Sequence, residues 1–362
     1  MVRQALMRVV YVSQFADVVG GGEHSLMELI ANLPESITAE LVVPENGELA
    51  QEAGRLGLQV HYLPMPKIGF MSLNALRQWK RWLKGKEYDF IHANQSRAAF
   101  YAGWATLGQA TKVIFHCRIA KKDGLMDAML MRLSDAIICN SKAVADRFKA
   151  FNGVLKVIYN GVVRKEGRET SVLKLPDDAR LLLFVGRLSS EKQPQLALDL
   201  FEKLAGEYSN LHLAMVGGDD PHDSQFSHSI REKAASSLFV DRIHMPGALN
   251  GVTEWYQRAS LLVLTSKHEG FGRVLVEAMA EGVVPVAFSV GGVPEVVEHG
   301  EQGFLVEADD LTIMQHRLKE LLDNELLRNS LAENGRGRAA FFSIENHVAS
   351  IEALYQELLQ HG

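Results

Sequence analysis

The sequence predicts an α/β protein of two domains, each built on a parallel β-sheet that helices cover on both faces. The chain has 362 residues, of which 47% are hydrophobic and 23% charged, an ordinary globular composition in a chain too long for one domain. Short β-branched runs alternate with helical patterns throughout, which is typical of parallel sheets. The alternation is interrupted once, at a polar and turn-prone segment from Arg164 to Asp178, where we place the linker.

Two series of predicted strands flank this linker. The first series is Arg8–Ser13, Ala39–Val43, Gln59–Leu63, Phe90–Ala93, Lys112–His116, Ala136–Cys139 and Lys156–Tyr159. The second is Leu181–Val185, His212–Val216, Arg242–Met245, Leu261–Thr265, Val284–Phe288 and Gly303–Val306. We therefore expect one domain at residues 1–163 and another at residues 164–343. Ligands of such sheets bind beyond the carboxyl ends of the strands, so we expect the chemistry in a cleft between the two domains.

Charge, apolar runs and cysteine content indicate which partners and which cellular compartment the protein has. Residues 1–163 carry 19 Lys and Arg against 14 Asp and Glu, whereas the remainder carries 19 against 30, so the first half is the candidate to face an anionic partner. No nucleic-acid partner is expected. No apolar run approaches the roughly 18 residues that span a bilayer, and the start does not resemble a signal peptide. Cys117 and Cys139 are predicted to be buried thiols, which favours a reducing cytoplasm.

The most informative segment runs from His268 to Glu277 and follows the predicted strand Leu261–Thr265. Glu269 stands next to glycines that let backbone N–H groups approach a ligand, and Glu277 follows eight residues later in a predicted helix. Helix N-termini favour phosphate, while carboxylates accept hydrogen bonds from sugar hydroxyls. This combination predicts a site for a sugar nucleotide.

Three sequence motifs, which also occur in the expected order along the chain, resemble those of one protein family. The two glutamates match an E-x7-E signature, Phe184–Lys192 resembles a G-R-L-x-x-E-K element, and Gly291–Glu295 resembles a G-G-x-P-E element. Together they resemble the retaining glycosyltransferases of family 4, often called group 1 glycosyl transferases. The resemblance implies the GT-B fold, in which two Rossmann-like domains face a cleft and a C-terminal helix crosses back to the first domain.

The resemblance also assigns roles to the domains. It implies that residues 1–163 bind the acceptor, that residues 164–343 bind the nucleotide-sugar donor, and that residues 344–362 form the crossing helix. An apolar stripe at helical spacing fits that helix, and its members are Val348, Ile351, Leu354, Tyr355 and Leu358.

Site residues follow from the same motifs. Arg187 and Lys192 would neutralise the diphosphate. Glu191 and Lys192 are expected to be the first residues of a helix. Glu269 would lie beside the donor sugar, and Glu277 would accept the ribose hydroxyls. His116, at a strand end, would lie near the donor sugar and acceptor as a catalytic residue. The remaining expected donor contacts are Gly21, Gly22, Gly186, Gly270, Phe271, Gly272 and Val274.

Several features keep a plainer interpretation open. Gly20–Gly22 follows the first strand and suits a phosphate, but Ser25 replaces the third glycine of a dinucleotide fingerprint, which disfavours a nicotinamide dehydrogenase. Arg118, Lys121 and Lys122 meet an anionic acceptor or are simply solvated. Residues 67–86, basic and aromatic, suit either an anionic membrane surface or an ordinary amphipathic helix.

The resulting expectation is a retaining, metal-independent glycosyltransferase that uses a UDP- or GDP-sugar and no cofactor. Its acceptor would be a saccharide or a lipid-linked molecule of cell-envelope, lipopolysaccharide or glycolipid synthesis, handled in the cytoplasm or at the inner face of the membrane. Asp219 and Asp220 lack the D-x-D spacing of a metal-binding pair. The alternatives are a sugar-nucleotide epimerase or a phosphorylase-like enzyme on the same architecture, and a non-catalytic protein that binds sugar nucleotides.

Overall fold

The structure is a computed structural model that describes residues 6–69, 71–164, 175–249 and 251–360. The chain divides into two compact units. Unit 1 comprises Met1–Val163 and Phe342–Gly362, and unit 2 comprises Arg164–Phe341. Most of the predicted linker, and Phe70 of the basic, aromatic segment, lie outside the described residues.

Unit 1 is built on one seven-stranded parallel sheet. Its strands are β1 (Met7–Ser13), β2 (Ile37–Val43), β3 (Gln59–Tyr62), β4 (Phe90–Asn94), β5 (Lys112–Cys117), β6 (Ala136–Cys139) and β7 (Val154–Val157). Between them lie helices α1 (Gly21–Ala31), α2 (Glu48–Arg55), α3 (Ser72–Leu83), α4 (Ser96–Thr106), α5 (Gly124–Leu133) and α6 (Lys142–Ala145), and a 3-10 turn at Asp146–Phe148. The strand order is β3-β2-β1-β4-β5-β6-β7.

Unit 2 repeats this architecture with six parallel strands in the order β10-β9-β8-β11-β12-β13. They are β8 (Arg180–Val185), β9 (Leu211–Val216), β10 (Ile243–Gly247), β11 (Leu261–Leu264), β12 (Val284–Phe288) and β13 (Phe304–Val306). Its helices are α7 (Pro194–Ala205), α8 (Ser224–Ala235), α9 (Thr253–Arg258), α10 (Arg273–Ala280), α11 (Val293–Val296), α12 (Leu311–Asp323) and α13 (Glu325–Phe341), with a 3-10 turn at Val240–Arg242.

The burial of the central strands on both faces explains why their sequences are continuous apolar runs. Helices cover both faces of a parallel sheet, so side chains on both faces of strands such as β4, β6, β11 and β12 are buried. The prediction of two parallel-sheet α/β domains is confirmed. Cys117 and Cys139 are buried free thiols, as predicted.

The last helix, α14 (Ile344–Gln360), belongs to unit 1. Its predicted apolar stripe is buried in the cluster that contains Val9, Tyr11 and Phe90, and the Tyr355 ring stacks on Phe90 with centroids 4.8 Å apart. Each fully buried side chain of this size contributes about 1.5 to 3 kcal/mol. The predicted return of the chain to its first sheet is thereby confirmed.

Both sheets contain a point where the direction of strand succession reverses. In unit 1 it lies between β1 and β4, and in unit 2 it lies between β8 and β11. The loops that follow these neighbouring strands diverge to opposite faces and leave a crevice at the carboxyl edge of the sheet. The two crevices are therefore where functional side chains are expected.

Candidate active site

The predicted charged residues of unit 2 gather at its crevice. Arg187 follows the end of β8, and Glu269 follows the end of β11. The Nζ of Lys192 donates to Oε1 of Glu269 in an ion pair that joins segments 77 residues apart in sequence. Cation and carboxylate thus meet at the point where the fold places ligands.

Lys192 precedes α7, and the expectation that Glu191 and Lys192 open this helix is wrong. The next residue, Gln193, has a left-handed backbone with φ of 49°, and Pro194 begins the helix. A left-handed residue cannot continue an α-helix, so the chain turns at Gln193. The Thr265 hydroxyl, just past β11, lies 3.1 Å from the Lys192 carbonyl oxygen and 2.9 Å from that of Gln193. This contact fastens the turn that carries Lys192 to the end of β11.

Glu269 is held from two sides. The Ser266 hydroxyl donates to its Oε1 at 2.8 Å, and the Gly292 N–H donates to its carbonyl oxygen at 3.0 Å. A Cβ on Gly291, whose φ is +53°, would stand 1.9 Å from that same oxygen. Glycine is therefore required at position 291 because this residue lies directly against the backbone of Glu269.

Gly186 and Arg187 lie in a second close backbone contact. A Cβ on Gly217 would lie 1.9 Å from the Gly186 carbonyl oxygen, so the loops after β8 and β9 touch through glycine. The Arg187 guanidinium lies 3.9 Å from Asp220 and is about one-third exposed. Asp220, which lacks the spacing of a metal-binding pair, therefore faces Arg187.

The glycine-rich segment between β11 and α10 presents mainly backbone. The Phe271 residue is buried in the protein. Gly272, with φ of 88°, is the N-cap of α10, and Gly270 and Val274 are partly buried on either side of it. The use of these backbone groups by a donor stays a prediction.

Glu277 lies one turn into α10 and is fixed at both carboxylate oxygens. The Arg273 Nε donates to Oε1 at 2.6 Å, and the Tyr256 hydroxyl donates to Oε2 at 2.9 Å. Burial, followed by the nearby charge of Glu277, raises the pKa of Tyr256 well above its usual range, so this phenol stays a donor. Sequence reasoning missed Tyr256, because a tyrosine in a short helix carries no motif.

The crevice of unit 1 collects residues from the ends of β1 and β4. Gly21 and Gly22 form the first positions of α1, whose N-cap is Gly20. A Cβ on Gly22 would lie 3.1 Å from the Gln95 side-chain nitrogen and 3.4 Å from the Arg118 side chain. The Gln95 amide donates to buried Glu23 at 3.0 Å, and burial raises the pKa of that carboxyl.

His116 lies on β5 within this group and is fully buried. Its Nδ1 is 3.0 Å from Nε2 of His92 and 3.3 Å from an Arg118 nitrogen. Arg118 also donates to Asn94 at 2.8 Å and to Asn160. Burial, followed by the charge of Arg118, lowers the pKa of His116 well below its usual range, so the ring is neutral. His92, which contacts His116 here, was not among the site residues predicted from the sequence.

Two further observations concern ions and membranes. Among the described residues, no three or more His, Cys, Asp or Glu are grouped so that they could hold a metal ion. In the same part of the chain, no helix combines the length and the apolar character that crossing a bilayer requires.

Two family models match the chain. Residues 166–338 match the model described as glycosyl transferases group 1, and residues 19–166 match the model described as glycosyltransferase family 4. A D-inositol 3-phosphate glycosyltransferase of Streptomyces avermitilis is 28% identical over 65% of this chain and 54% of its own length. The chain thus spans about half the length of the first curated relatives it matches. A lipopolysaccharide core biosynthesis mannosyltransferase of Rhizobium meliloti is 26% identical over 88% of this chain and 92% of its own length.

Solved structures share the fold. Anabaena HepE, crystallised with UDP and glucose, superposes with a TM-score of 0.82 at 20% identity, over 97% of this chain and 99% of that one. The sucrose-phosphate synthase of Thermosynechococcus elongatus gives a TM-score of 0.81 at 19% identity, over 98% of this chain and all of its own. The fold is therefore of the GT-B type, and the motifs, the two matching models and the architecture together place this chain in glycosyltransferase family 4, the group 1 glycosyl transferases.

Proposed function

We propose that the chain is a retaining, metal-independent glycosyltransferase that moves a sugar from a UDP- or GDP-sugar to an acceptor hydroxyl. The observation that carries the proposal is the contact of Lys192 with Glu269 at the crevice of unit 2, with Arg187 at the adjoining strand end. Cations bind a diphosphate, and a carboxylate accepts hydrogen bonds from sugar hydroxyls, so the set suits a donor that carries both. The UDP and glucose bound by HepE support this donor class.

Each residue has a stated role in this mechanism. Arg187 and Lys192 neutralise the diphosphate and stabilise the negative charge that grows on it as the glycosidic bond breaks. The acceptor hydroxyl attacks the anomeric carbon on the face from which the diphosphate leaves, and a phosphate oxygen takes the proton. Glu269 orients the sugar, and Glu277 accepts the ribose hydroxyls. Because side-chain contacts already hold both glutamates, little reorganisation precedes the reaction.

Acceptor binding is assigned to unit 1. His116 supplies a polar contact at its crevice, and Lys121 and Lys122 are exposed on the loop that follows β5. The two relatives named above act, by name, on a phosphorylated polyol and in lipopolysaccharide core synthesis. An anionic or lipid-linked saccharide acceptor of the cell envelope is consistent with both names and with the excess of Lys and Arg in residues 1–163.

Within residues 67–86, we propose that only the exposed side of α3 contacts a membrane. Trp79 and Leu83 are buried in the core, which is the plainer of the two interpretations for the apolar side of this helix. Its basic side chains are exposed, as are the apolar side chains of Ile68, Met71 and Leu73 before and at the start of the helix. Co-sedimentation with anionic but not zwitterionic vesicles is expected, and absence of salt-sensitive binding would remove the membrane from the proposal.

The central experiment pairs two substitutions with a matched control. Thermal-shift screening against UDP, GDP, ADP and their sugars selects the donor, and transfer is then measured for Lys192→Ala and Arg187→Ala. We expect each to lower kcat/KM about 100-fold or more, since removing one donor to a developing charge has this effect. Lys233→Ala removes a comparable lysine–carboxylate pair, to Asp199, and should leave transfer unchanged.

Three outcomes would contradict the proposal. Wild-type transfer rates in both variants would show that neither cation stabilises the leaving group. Conversion of the nucleotide sugar without an acceptor would identify an epimerase. Saturable nucleotide binding with neither transfer nor hydrolysis would identify a binding protein.

A further inference from the structure

Four buried rings form a continuous line from the C-terminal helix to His116. The Tyr355 hydroxyl of α14 lies 2.6 Å from Nδ1 of His92 and 3.1 Å from the Tyr11 hydroxyl. Nε2 of His92 lies 3.0 Å from Nδ1 of His116. All four side chains are fully buried, so no water competes for these hydrogen bonds.

Arg118 sets the direction of the line. A guanidinium has donors only, so its contact with Nδ1 of His116 at 3.3 Å requires that this nitrogen carry a lone pair. The proton of the neutral His116 ring therefore resides on Nε2. Because Nδ1 of His116 is an acceptor, Nε2 of His92 must be the donor in the bond between the two rings.

The same logic continues outwards. With its proton on Nε2, His92 accepts at Nδ1, so the Tyr355 hydroxyl donates its only proton to this ring. Burial lowers the pKa of both histidines and raises the pKa of both tyrosines. All four groups are thus neutral, and the bonds from Tyr355 to His92 and from His92 to His116 each have one direction.

The line ends on an unused donor. Nε2 of His116 is buried and has no hydrogen-bond partner within the described part of the chain. A buried N–H without an acceptor destabilises the protein, and a hydrogen bond to a ligand oxygen would remove that penalty. Besides His92, the ring of His347 lies near His116, with 6.2 Å between the two ring centroids.

We propose that His92 and Tyr355 are positioning residues that fix His116 as an Nε2–H tautomer, so that His116 donates a hydrogen bond to a substrate oxygen and does not act as a base. The identity of that substrate, a hydroxyl or phosphate oxygen of the sugar nucleotide or acceptor, rests on the proposed function. The tautomer does not, because the free protein already contains every group that sets it.

The first test reads the tautomer directly. Long-range proton–nitrogen correlation spectra of ligand-free protein carrying ¹⁵N-histidine separate protonated from unprotonated ring nitrogens, and His92→Gln assigns the signals. We expect a protonated Nε2 and an unprotonated Nδ1 on both His92 and His116, unchanged between about pH 6 and 8, where an ordinary imidazole titrates. A protonated Nδ1 on His116, or an imidazolium, would overturn the proposal.

The second test separates positioning from packing. His92→Phe removes the donor and keeps an aromatic ring, whereas His92→Gln keeps an N–H donor. We expect His92→Phe to lower kcat about 10-fold with the donor KM changed less than about 3-fold, and His92→Gln to restore most of the loss, since about one hydrogen bond is at stake. Tyr355→Phe should lower kcat, while Tyr11→Phe, which removes a hydroxyl outside the bond to His92, should not.

These outcomes are distinguishable from failure of the proposed function. Wild-type kcat in His92→Phe, or no rescue by a folded His92→Gln, would show that His92 is only packed there. Absence of transfer in the unmodified protein would refute the proposed activity, while the ligand-free spectrum would still decide the tautomer. If His92→Phe fails to fold, the spectrum and the comparison of Tyr355→Phe with Tyr11→Phe decide the proposal.

Discussion

Substitution of Gly291 tests whether the backbone of Glu269 depends on a glycine at this position. An alanine there adopts a left-handed φ of +53°, which costs about 1 to 2 kcal/mol. Its Cβ would also stand 1.9 Å from the Glu269 carbonyl oxygen, so one of the two loops must move. Overpacking of this kind costs about 1 to 3 kcal/mol, which gives a total loss of about 2 to 5 kcal/mol for Gly291→Ala.

Gly300→Ala is the matched control. Gly300 has φ of +83°, and nothing lies within 4 Å of its added Cβ, so only the conformational cost of about 1 to 2 kcal/mol applies. In calorimetry, each kcal/mol lowers the unfolding midpoint of a unit of this size by about 2 to 4 °C. Gly291→Ala should therefore unfold at a clearly lower temperature than Gly300→Ala. Equal midpoints would refute the inference that Gly291 supports Glu269 by direct contact.

Three further predictions follow from particular contacts. Tyr256→Phe removes a hydrogen bond to the Glu277 carboxylate and should weaken binding of the nucleotide selected by the thermal-shift screen about 10-fold in isothermal titration; unchanged affinity would show that this bond does not orient Glu277. Ile351→Ala should cost about 2 to 5 kcal/mol and raise hydrogen exchange in β1 and β4, whereas a change confined to unit 2 would contradict the packing of α14. Because burial lowers the folded-state pKa of His92 and His116 below 6.5, the unfolded chain binds more protons below that pH, so stability is complete above pH 6.5 and falls as the pH drops towards the folded values. His92→Phe should reduce this slope by up to about 1.4 kcal/mol per pH unit in denaturant titrations, and an unchanged slope would be inconsistent with a buried neutral His92.

The sequence was sufficient to place most of the strands because buried parallel strands leave a strong local signal. All predicted strands exist, and each agrees with the structure within two residues at each end. The prediction for β7 is displaced, since the strand occupies Val154–Val157 and ends before Tyr159. Edge strands are only partly buried, as this one is, so their apolar pattern defines the boundaries poorly.

Site residues were predictable where glycine or charge marks a strand end. Arg187, Lys192 and Glu269 belong to such motifs, and the structure brings Lys192 into contact with Glu269. The residues that hold these side chains in place belong to no such motif. Tyr256 and Tyr355 read as ordinary core aromatics, because their role depends on partners that are distant in sequence. Asn94 and Gln95 did carry a usable signal, as polar residues at the end of a buried strand and directly after it.

The packing of α14 against the first sheet reverses the usual order of events during synthesis. Domains generally fold as they leave the ribosome, the earliest first. Here residues 164–341 can close their own core while the first-made sheet still lacks the side chains of Ile351 and Tyr355. The sheet of unit 1 is therefore completed after unit 2, although it is made earlier, and one of its apolar faces stays uncovered until α14 has been translated.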